Sequence, residues 1–221
     1  MFNLDANAAR SADNKSAFID ESGKYIGTFN RAEYMEKQDT GSTGIGFTFK
    51  SRDGAEGQFY VNLTYQHGKR NEGGYALLNA IMACMQLRTV GNPQPMEIEK
   101  WDKDAGQRVK VTVPSFAEFV GKPIGLLLQM EIEKNSTTGM ERPTIFAPFS
   151  AESEKTASEI LDQRCTSPAK LEKMVQQIAK KPVVDRRPKG SQSQQYGDTS
   201  HQSGPMADAP DYFEDDGIPF D

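Results

Sequence analysis

Two neighbouring runs of the sequence alternate between apolar and polar side chains, and this alternation constrains the fold more than any other feature. The runs cover residues 43–51 and 57–65. The alternating apolar positions are Ile45, Phe47 and Phe49 in the first run and Phe59, Val61 and Leu63 in the second. Because successive side chains of a strand point to opposite faces, each run predicts a strand with one buried face. Asp53-Gly54 between them predicts the tight turn of an antiparallel hairpin.

Further elements are predicted on both sides of this hairpin. Aromatic and β-branched residues favour a strand over 24–35. The later predicted elements are a helix that opens at 73 and ends before 91, a hairpin of 96–101 and 107–113, a short helical piece over 116–120, a strand over 124–133, an edge strand over 142–149, and two helices near 157–161 and 171–178. Ser167-Pro168 is predicted to cap and open the last helix.

The order of these elements is β-β-β-α-β-β, with a hairpin added after the first helix and helices added at the end. Five strands with a helix between the third and fourth are the connectivity of the OB-fold, a small Greek-key barrel. We therefore expect a mainly β protein with α: an OB-fold-like five-stranded barrel with an extra hairpin and C-terminal helices. The expected units are the barrel domain over 1–150, a helical extension over 151–181, and a linker with an acidic tail over 182–221.

The charges of the chain are unevenly distributed. Residues 1–189 hold all 26 basic residues and 24 acidic ones, whereas 190–221 hold seven acidic residues and no basic one. Such a polar acidic segment cannot bury enough apolar surface to fold, so we expect it to be disordered. Its end differs, because apolar residues stand among the carboxylates, which is typical of a docking peptide. The candidate docking residues are Asp215, Asp216, Ile218, Pro219 and Phe220.

Basic and aromatic side chains recur on the predicted polar faces. Single-stranded nucleic acid is bound by basic grooves that follow the phosphates and by aromatic side chains that stack on bases. Tyr60 lies on the polar face of its strand, and Trp101 lies across from the basic residues of the second hairpin. Packing of either aromatic beneath the C-terminal helices is the alternative. The candidate DNA-binding residues are Lys50, Tyr60, Lys69, Arg70, Trp101, Arg108 and Lys110.

Motifs for catalysis and metal binding are weak. The glycine-rich run 41–46 lacks the Gly-Lys-Ser/Thr ending of a nucleotide-binding loop and predicts a flexible loop between strands. Cys84 and Cys165 lack zinc-site spacing and are expected to be reduced thiols. In two carboxylate pairs, Glu97 with Glu99 and Glu131 with Glu133, both side chains lie on the same face of one strand. Such a pair could hold a metal ion, although solvated strand faces often show the same pattern. We expect no catalytic residue, no metal site and no cofactor.

Two parts of the sequence are similar to known families. The end Asp215-Asp216-Gly217-Ile218-Pro219-Phe220 resembles the acidic tip of bacterial single-stranded DNA-binding proteins, although here Asp221 follows the phenylalanine. A second resemblance spans about residues 1–133, and its segments are Gly23-Lys24-Tyr25-Ile26-Gly27 to Glu33, the glycine-rich run, Phe47-Thr48-Phe49, Val61-Asn62-Leu63 and the helix after them. These segments resemble a bacteriophage family of replication and recombination proteins taken as single-stranded DNA-binding proteins. The resemblance implies an OB-type fold that coats exposed strands and recruits partners through its tail.

The sequence therefore predicts a non-enzymatic single-stranded DNA-binding protein of phage replication or recombination. A recombination mediator or strand-annealing accessory protein is the alternative of the same kind, and a metal-dependent nuclease is the alternative of another class. The expected partners are single-stranded DNA and, through the tail, replication or recombination proteins. No run reaches the ~18 apolar residues of a membrane span, and no signal sequence is recognisable. The expected location is the cytoplasm, that of the bacterial host if the chain is phage-encoded.

Overall fold

The computed structural model describes residues 17–102, 106–162 and 167–188, with the backbone alone for 101 and 102. Within these ranges more residues lie in strands than in helices. The strands are Gly23–Lys37 (β1), Ser42–Ser51 (β2), Glu56–Thr64 (β3), Gln94–Asp102 (β4), Gln107–Ser115 (β5), Pro123–Ile132 (β6), Glu141–Phe149 (β7) and Val183–Asp185 (β8). The α-helices are Glu72–Cys84 (α1), Ala157–Leu161 (α2) and Lys170–Lys180 (α3).

The first three strands form an antiparallel meander, as their alternation predicts. Phe47 of β2 pairs with Ala32 of β1 on one side and with Phe59 of β3 on the other. At the turn between β2 and β3, Gly54 has a φ of +95°, which glycine adopts without a steric penalty. The predicted hairpin at Asp53-Gly54 is therefore confirmed.

A β-bulge at Asn30 changes which side chains of β1 face the core. The pairing with β2 shifts between Phe29 and Arg31, so that one extra residue lies on β1. Phe29 and Ala32 both face the core, and Arg31 and Glu33 lie on the opposite, outer face of the meander. A bulge commonly redirects side chains in this way.

The long strand β1 joins two parts of an open sheet. Its first half pairs antiparallel with β6, from Gly23 opposite Leu128 to Thr28 opposite Pro123. β6 also pairs antiparallel with β7 and parallel with β8. This path gives the strand order β3-β2-β1-β6-β7, with β3 and β7 near each other but without a ladder between them in the described residues. α1 packs against both of these end strands.

The β4–β5 hairpin, called the arm from here on, branches from the second half of β1. Its ladder to β1 consists of one pair, Glu33 opposite Ser115, and the backbone N–H of Phe116 donates to the carbonyl oxygen of Ala32 (2.8 Å). Met96, Ile98 and Lys100 on β4 are half-buried, whereas Glu97 and Glu99 between them are exposed. The arm is therefore attached at its base. One of its two faces lies over the outer face of the meander.

Two apolar clusters lie on the two faces of β6. Ile124, Leu126 and Leu128 belong to the larger cluster with the phenylalanines of the meander, whereas Leu127 belongs to the smaller one. The smaller cluster also contains Phe149, Leu171 and Ile178, so α3 covers this second face. Each fully buried leucine or phenylalanine contributes ~1.5–3 kcal/mol to stability. The predicted placement of Phe47, Phe49 and Phe59 in the core is confirmed.

Three predictions differ from the structure. The glycine-rich run 41–46 was expected to be a loop, but β2 begins at Ser42 and its glycines lie within the ladder. The linker was expected from 182 onward, but Val183–Asp185 forms β8 because it pairs with the end of β6. The last helix starts at Lys170 with Ala169 as its N-cap, so Ser167-Pro168 does not open it. In the part of the chain that the structure describes, no helix is long and apolar enough to span a membrane.

Candidate nucleic-acid interface

A groove of about 660 Å³ runs along the outer face of the meander, beneath the arm. Its walls come from different parts of the chain. They include the β3 run 56–61, the β7 run 142–145, the β4 run 96–100, Arg108 of β5, and Asn30, Arg31 and Thr48 of β1 and β2. Because β3 and β7 are the ends of the strand path, the groove follows the side where the sheet stays open.

Tyr60 supplies an aromatic surface to this groove. It lies on β3 opposite Gly46, and its ring reaches over Gly44, where an added Cβ would come within 2.3 Å of the phenol oxygen. The absence of a side chain at Gly44 therefore provides the space for this ring. Burial, with a smaller contribution from Tyr34, raises the pKa of Tyr60 to about 12. The phenol is consequently neutral at ordinary pH.

Gln58 presents an amide beside Tyr60 in the same wall. It lies opposite Thr48 of β2, and both residues line the groove. Its side-chain oxygen is buried and has no hydrogen-bond partner among the described residues. An unpaired buried acceptor costs ~1–3 kcal/mol, which a donor from a bound molecule can offset. The N–H groups of nucleic-acid bases are donors of this kind.

Arg31 on the floor of the groove and Lys100 on the arm contact the same carboxylate, that of Glu33. Arg31 Nη2 donates to Glu33 Oε2, and Lys100 Nζ of the arm lies 3.0 Å from Glu33 Oε1. The side chains of Arg31 and Glu33 are each 8% exposed, whereas that of Lys100 is 27% exposed. This contact connects the arm to the floor of the groove.

Other basic side chains around the groove also contact carboxylates. Lys110 Nζ lies 2.8 Å from Glu97, Arg142 Nη1 lies 3.2 Å from Glu133, and Lys50 Nζ lies 3.4 Å from Glu56. These side chains are one-third to two-thirds exposed. Exposed ion pairs contribute only ~0–1 kcal/mol, so an incoming phosphate can replace the carboxylate at small cost.

The structure brings some of the predicted DNA-binding residues together and separates others. Tyr60 and Arg108 line the groove, and the backbone of Trp101 pairs with Arg108 at the end of the arm. The ring of Tyr60 contacts Gly44 of β2. Lys50 and Lys110 lie next to the groove through their contacts with Glu56 and Glu97, which line it.

Lys69 and Arg70 lie elsewhere, in the exposed segment before α1, and neither lines the groove. The Arg70 guanidinium stands 4.2 Å from the ring centre of Tyr75. Such a cation–π contact gives this segment its own local packing. The docking residues Asp215, Asp216, Ile218, Pro219 and Phe220 lie outside the described residues.

The sequence-based set lacks three of the four basic residues that line the groove, Arg31, Lys100 and Arg142, and it also lacks Gln58. Gln58 shares the alternating polar face of Tyr60, and Lys100 follows Met96 and Ile98 at two-residue intervals. Those spacings are signals that the sequence does contain. Arg31 had no such signal, because its direction depends on the bulge at Asn30.

Three of the four strand carboxylates that could have served a nuclease contact cations. Glu97 and Glu133 have the partners described above, and Glu131 accepts two hydrogen bonds of 2.7 Å from Arg186. No group of three or more histidine, cysteine or acidic side chains with metal-binding geometry occurs in 17–102, 106–162 and 167–188. Burial raises the pKa of the Cys84 thiol to about 12, so it is a protonated side chain of the interior.

No family model matches the chain, and no curated protein matches it significantly.

Proposed function

We propose that the protein binds single-stranded DNA in the groove, as a non-catalytic coat protein of phage replication or recombination. The observation that carries the proposal is the composition of this one concave site. An aromatic ring, an amide side chain and basic side chains all line the same groove; they belong to Tyr60, Gln58, Arg31, Lys100, Arg108 and Arg142. Single strands require these three kinds of group for stacking, base contacts and phosphate contacts.

The strand order supports an OB-type interpretation of the fold. The path β3-β2-β1-β6-β7, with α1 between β3 and β6 in the chain, follows the order of an OB barrel. OB-folds are partly open five-stranded barrels that bind oligonucleotides on the face of their second and third strands. Tyr60, Gln58 and Thr48 lie on the corresponding face here. In this proposal the arm and the C-terminal helices are additions to the barrel.

The chemistry of binding follows from the two kinds of side chain in the groove, the aromatic ring of Tyr60 and the basic side chains. Tyr60 offers a stacking surface to an unpaired base, which contributes ~1–3 kcal/mol per stacked base. Phosphates exchange with the carboxylates that contact the basic side chains, releasing counterions from the DNA. Neither contact depends on the base sequence, so binding is largely sequence-independent. The acidic end of the chain, residues 211–221, would recruit replication or recombination proteins.

A gel-shift experiment with Mg²⁺ tests this proposal against its alternatives. A labelled single-stranded oligonucleotide is incubated with the protein, and both the shift and the length of the strand are read. An intact, shifted strand is the expected result. Cleavage would favour a metal-dependent nuclease, and annealing of two complementary strands would favour the recombination-mediator alternative. Absence of any shift at low salt would contradict the proposal.

A further inference from the structure

The contact between Arg31, Glu33 and Lys100 lies where the arm meets the floor of the groove. Its three side chains come from the floor of the groove and from the arm above it, and two of them, Arg31 and Lys100, line the groove. A cation from the floor, Arg31, and a cation from the arm, Lys100, thus contact the two oxygens of one carboxylate. A phosphodiester presents the same feature, an anionic group with two oxygens that accept hydrogen bonds.

Stability alone is a weak explanation for this contact. The desolvation cost of a buried ion pair is about as large as its Coulombic gain, and apolar replacements are often neutral or stabilising. Apolar contacts could have held the arm, because Met96 and Ile98 flank this site at two-residue intervals on β4. The bulge at Asn30 places Arg31 and Glu33 on the outer face, where they meet the arm.

We propose that Arg31 and Lys100 form a phosphate-binding subsite across the groove, and that Glu33 fills this subsite in the unbound protein. The inference rests on the proposed function, because the phosphate is that of a single-stranded DNA backbone. Glu33 then acts as an internal substitute for the phosphate. It keeps the two cations in place and the arm closed until a strand enters.

The two cations have different tasks when the strand binds. Lys100 is the more exposed, and its flexible side chain can exchange Glu33 for a phosphate oxygen without a change in β1. Arg31 stays beside Glu33, and its guanidinium has five N–H donors, so one group can serve both anions. Glu33 therefore does not become an unpaired buried charge, which would be strongly destabilising.

The test compares three variants with the wild type in titrations of a fluorescent oligo(dT) strand at several salt concentrations. Lys100→Met should weaken binding by about tenfold, the loss expected for one charge-assisted hydrogen bond. It should also make the log–log salt slope shallower by ~0.7, the value for one phosphate. Glu33→Gln should tighten binding, because the competing carboxylate is gone. Lys173→Met removes an equal charge from the exposed side of α3 and should change neither quantity.

The outcomes separate this inference from the proposed function. If the wild type binds oligo(dT) but folded Lys100→Met has the same affinity and slope, the subsite is wrong and the proposed function stands. If the wild type itself does not bind, the proposed function fails and the subsite with it. Lys100 is partly exposed, so its variant decides the question even if Glu33→Gln fails to fold. Weaker binding by folded Glu33→Gln would also overturn the inference.

Discussion

The Tyr60 side chain is packed against a neighbouring strand and is also part of the groove surface. Its ring covers Gly44 of the neighbouring strand and also lines the groove. A larger residue at position 44 would occupy the space that the ring needs. Gly44 of β2 and the large side chain of Tyr60 on β3 thus pack together, and this contact fixes the direction of the ring in the unbound protein. A ring fixed in this way loses little conformational entropy on binding.

We predict that Tyr60→Ala weakens single-strand binding by ~1–3 kcal/mol, because one stacking surface is lost. Tyr60→Phe keeps the ring and should bind nearly as well as the wild type, which makes it the matched control. Fluorescence titration with an oligonucleotide measures both, and thermal unfolding shows whether the variants are folded. Equal binding by folded Tyr60→Ala and wild type would show that Tyr60 is only a packing residue.

At the scale of elements, Glu159 joins the two short C-terminal helices. Its carboxylate accepts hydrogen bonds from the N–H groups of Thr156, at the start of α2, and of Ala169 and Lys170, at the start of α3. Its burial alone would raise the carboxyl pKa, but these hydrogen bonds together lower the pKa of Glu159 to about 2. This carboxylate supplies the capping acceptor that the sequence had suggested for Ser167.

Glu159 leads to a prediction about acid stability. A folded pKa below the ordinary value of ~4.3 means that the folded state binds fewer protons than the unfolded state. The resulting stability is complete above the ordinary value and is lost as the pH falls toward 2. We expect the unfolding free energy to fall across this window, and to fall less in Glu159→Gln. At neutral pH this variant should lose ~1–3 kcal/mol, because buried N–H groups lose an acceptor.

Urea unfolding monitored by circular dichroism at several pH values makes this measurement. Glu152→Gln is the control, because Glu152 is an exposed carboxylate of the same segment. An identical dependence on pH in Glu159→Gln and the wild type would contradict the role given to Glu159.

The strands and helices could largely be predicted from the sequence, whereas the contacts between residues far apart in the chain could not. Alternation and turn residues located the strands of the meander and the arm, since both signals are local. The bulge at Asn30, the pairing of β1 with β6 and the contact of Lys100 with Glu33 depend on residues far apart in the chain. For that reason Tyr60 and Arg108 could be predicted as groove residues, but Arg31 could not.

At the scale of the whole molecule, the basic side chains of the groove and the acidic end of the chain carry opposite charge. In the proposed function the groove binds a polyanion, and residues 190–221 are themselves polyanionic, with seven acidic and no basic residues. Both the acidic end and a DNA strand could therefore compete for the same basic side chains. Such competition acts over the Debye length, about 30 Å at 0.01 M salt.

We therefore predict that deletion of residues 211–221 leaves single-strand affinity intact or increases it, most clearly at low salt. The same deletion should abolish binding of partner proteins of replication or recombination. Phe220→Ala should weaken partner binding and leave DNA affinity unchanged, because only an apolar contact is removed. Titration of full-length and shortened protein with one oligonucleotide measures the DNA part. Loss of DNA binding on deletion would mean that the acidic end belongs to the binding domain.

The salt dependence of single-strand affinity tests the central claim most directly. A labelled single strand and the corresponding duplex are titrated with the wild-type protein from low to physiological salt. Four basic residues line the groove: Arg31, Lys100, Arg108 and Arg142. Neutralisation of two to four phosphates predicts a log–log slope between about −1.4 and −2.8 for the single strand. The single strand should also bind more tightly than the duplex, because only unpaired bases can stack on Tyr60. A slope near zero, or tighter binding of the duplex, would contradict the account.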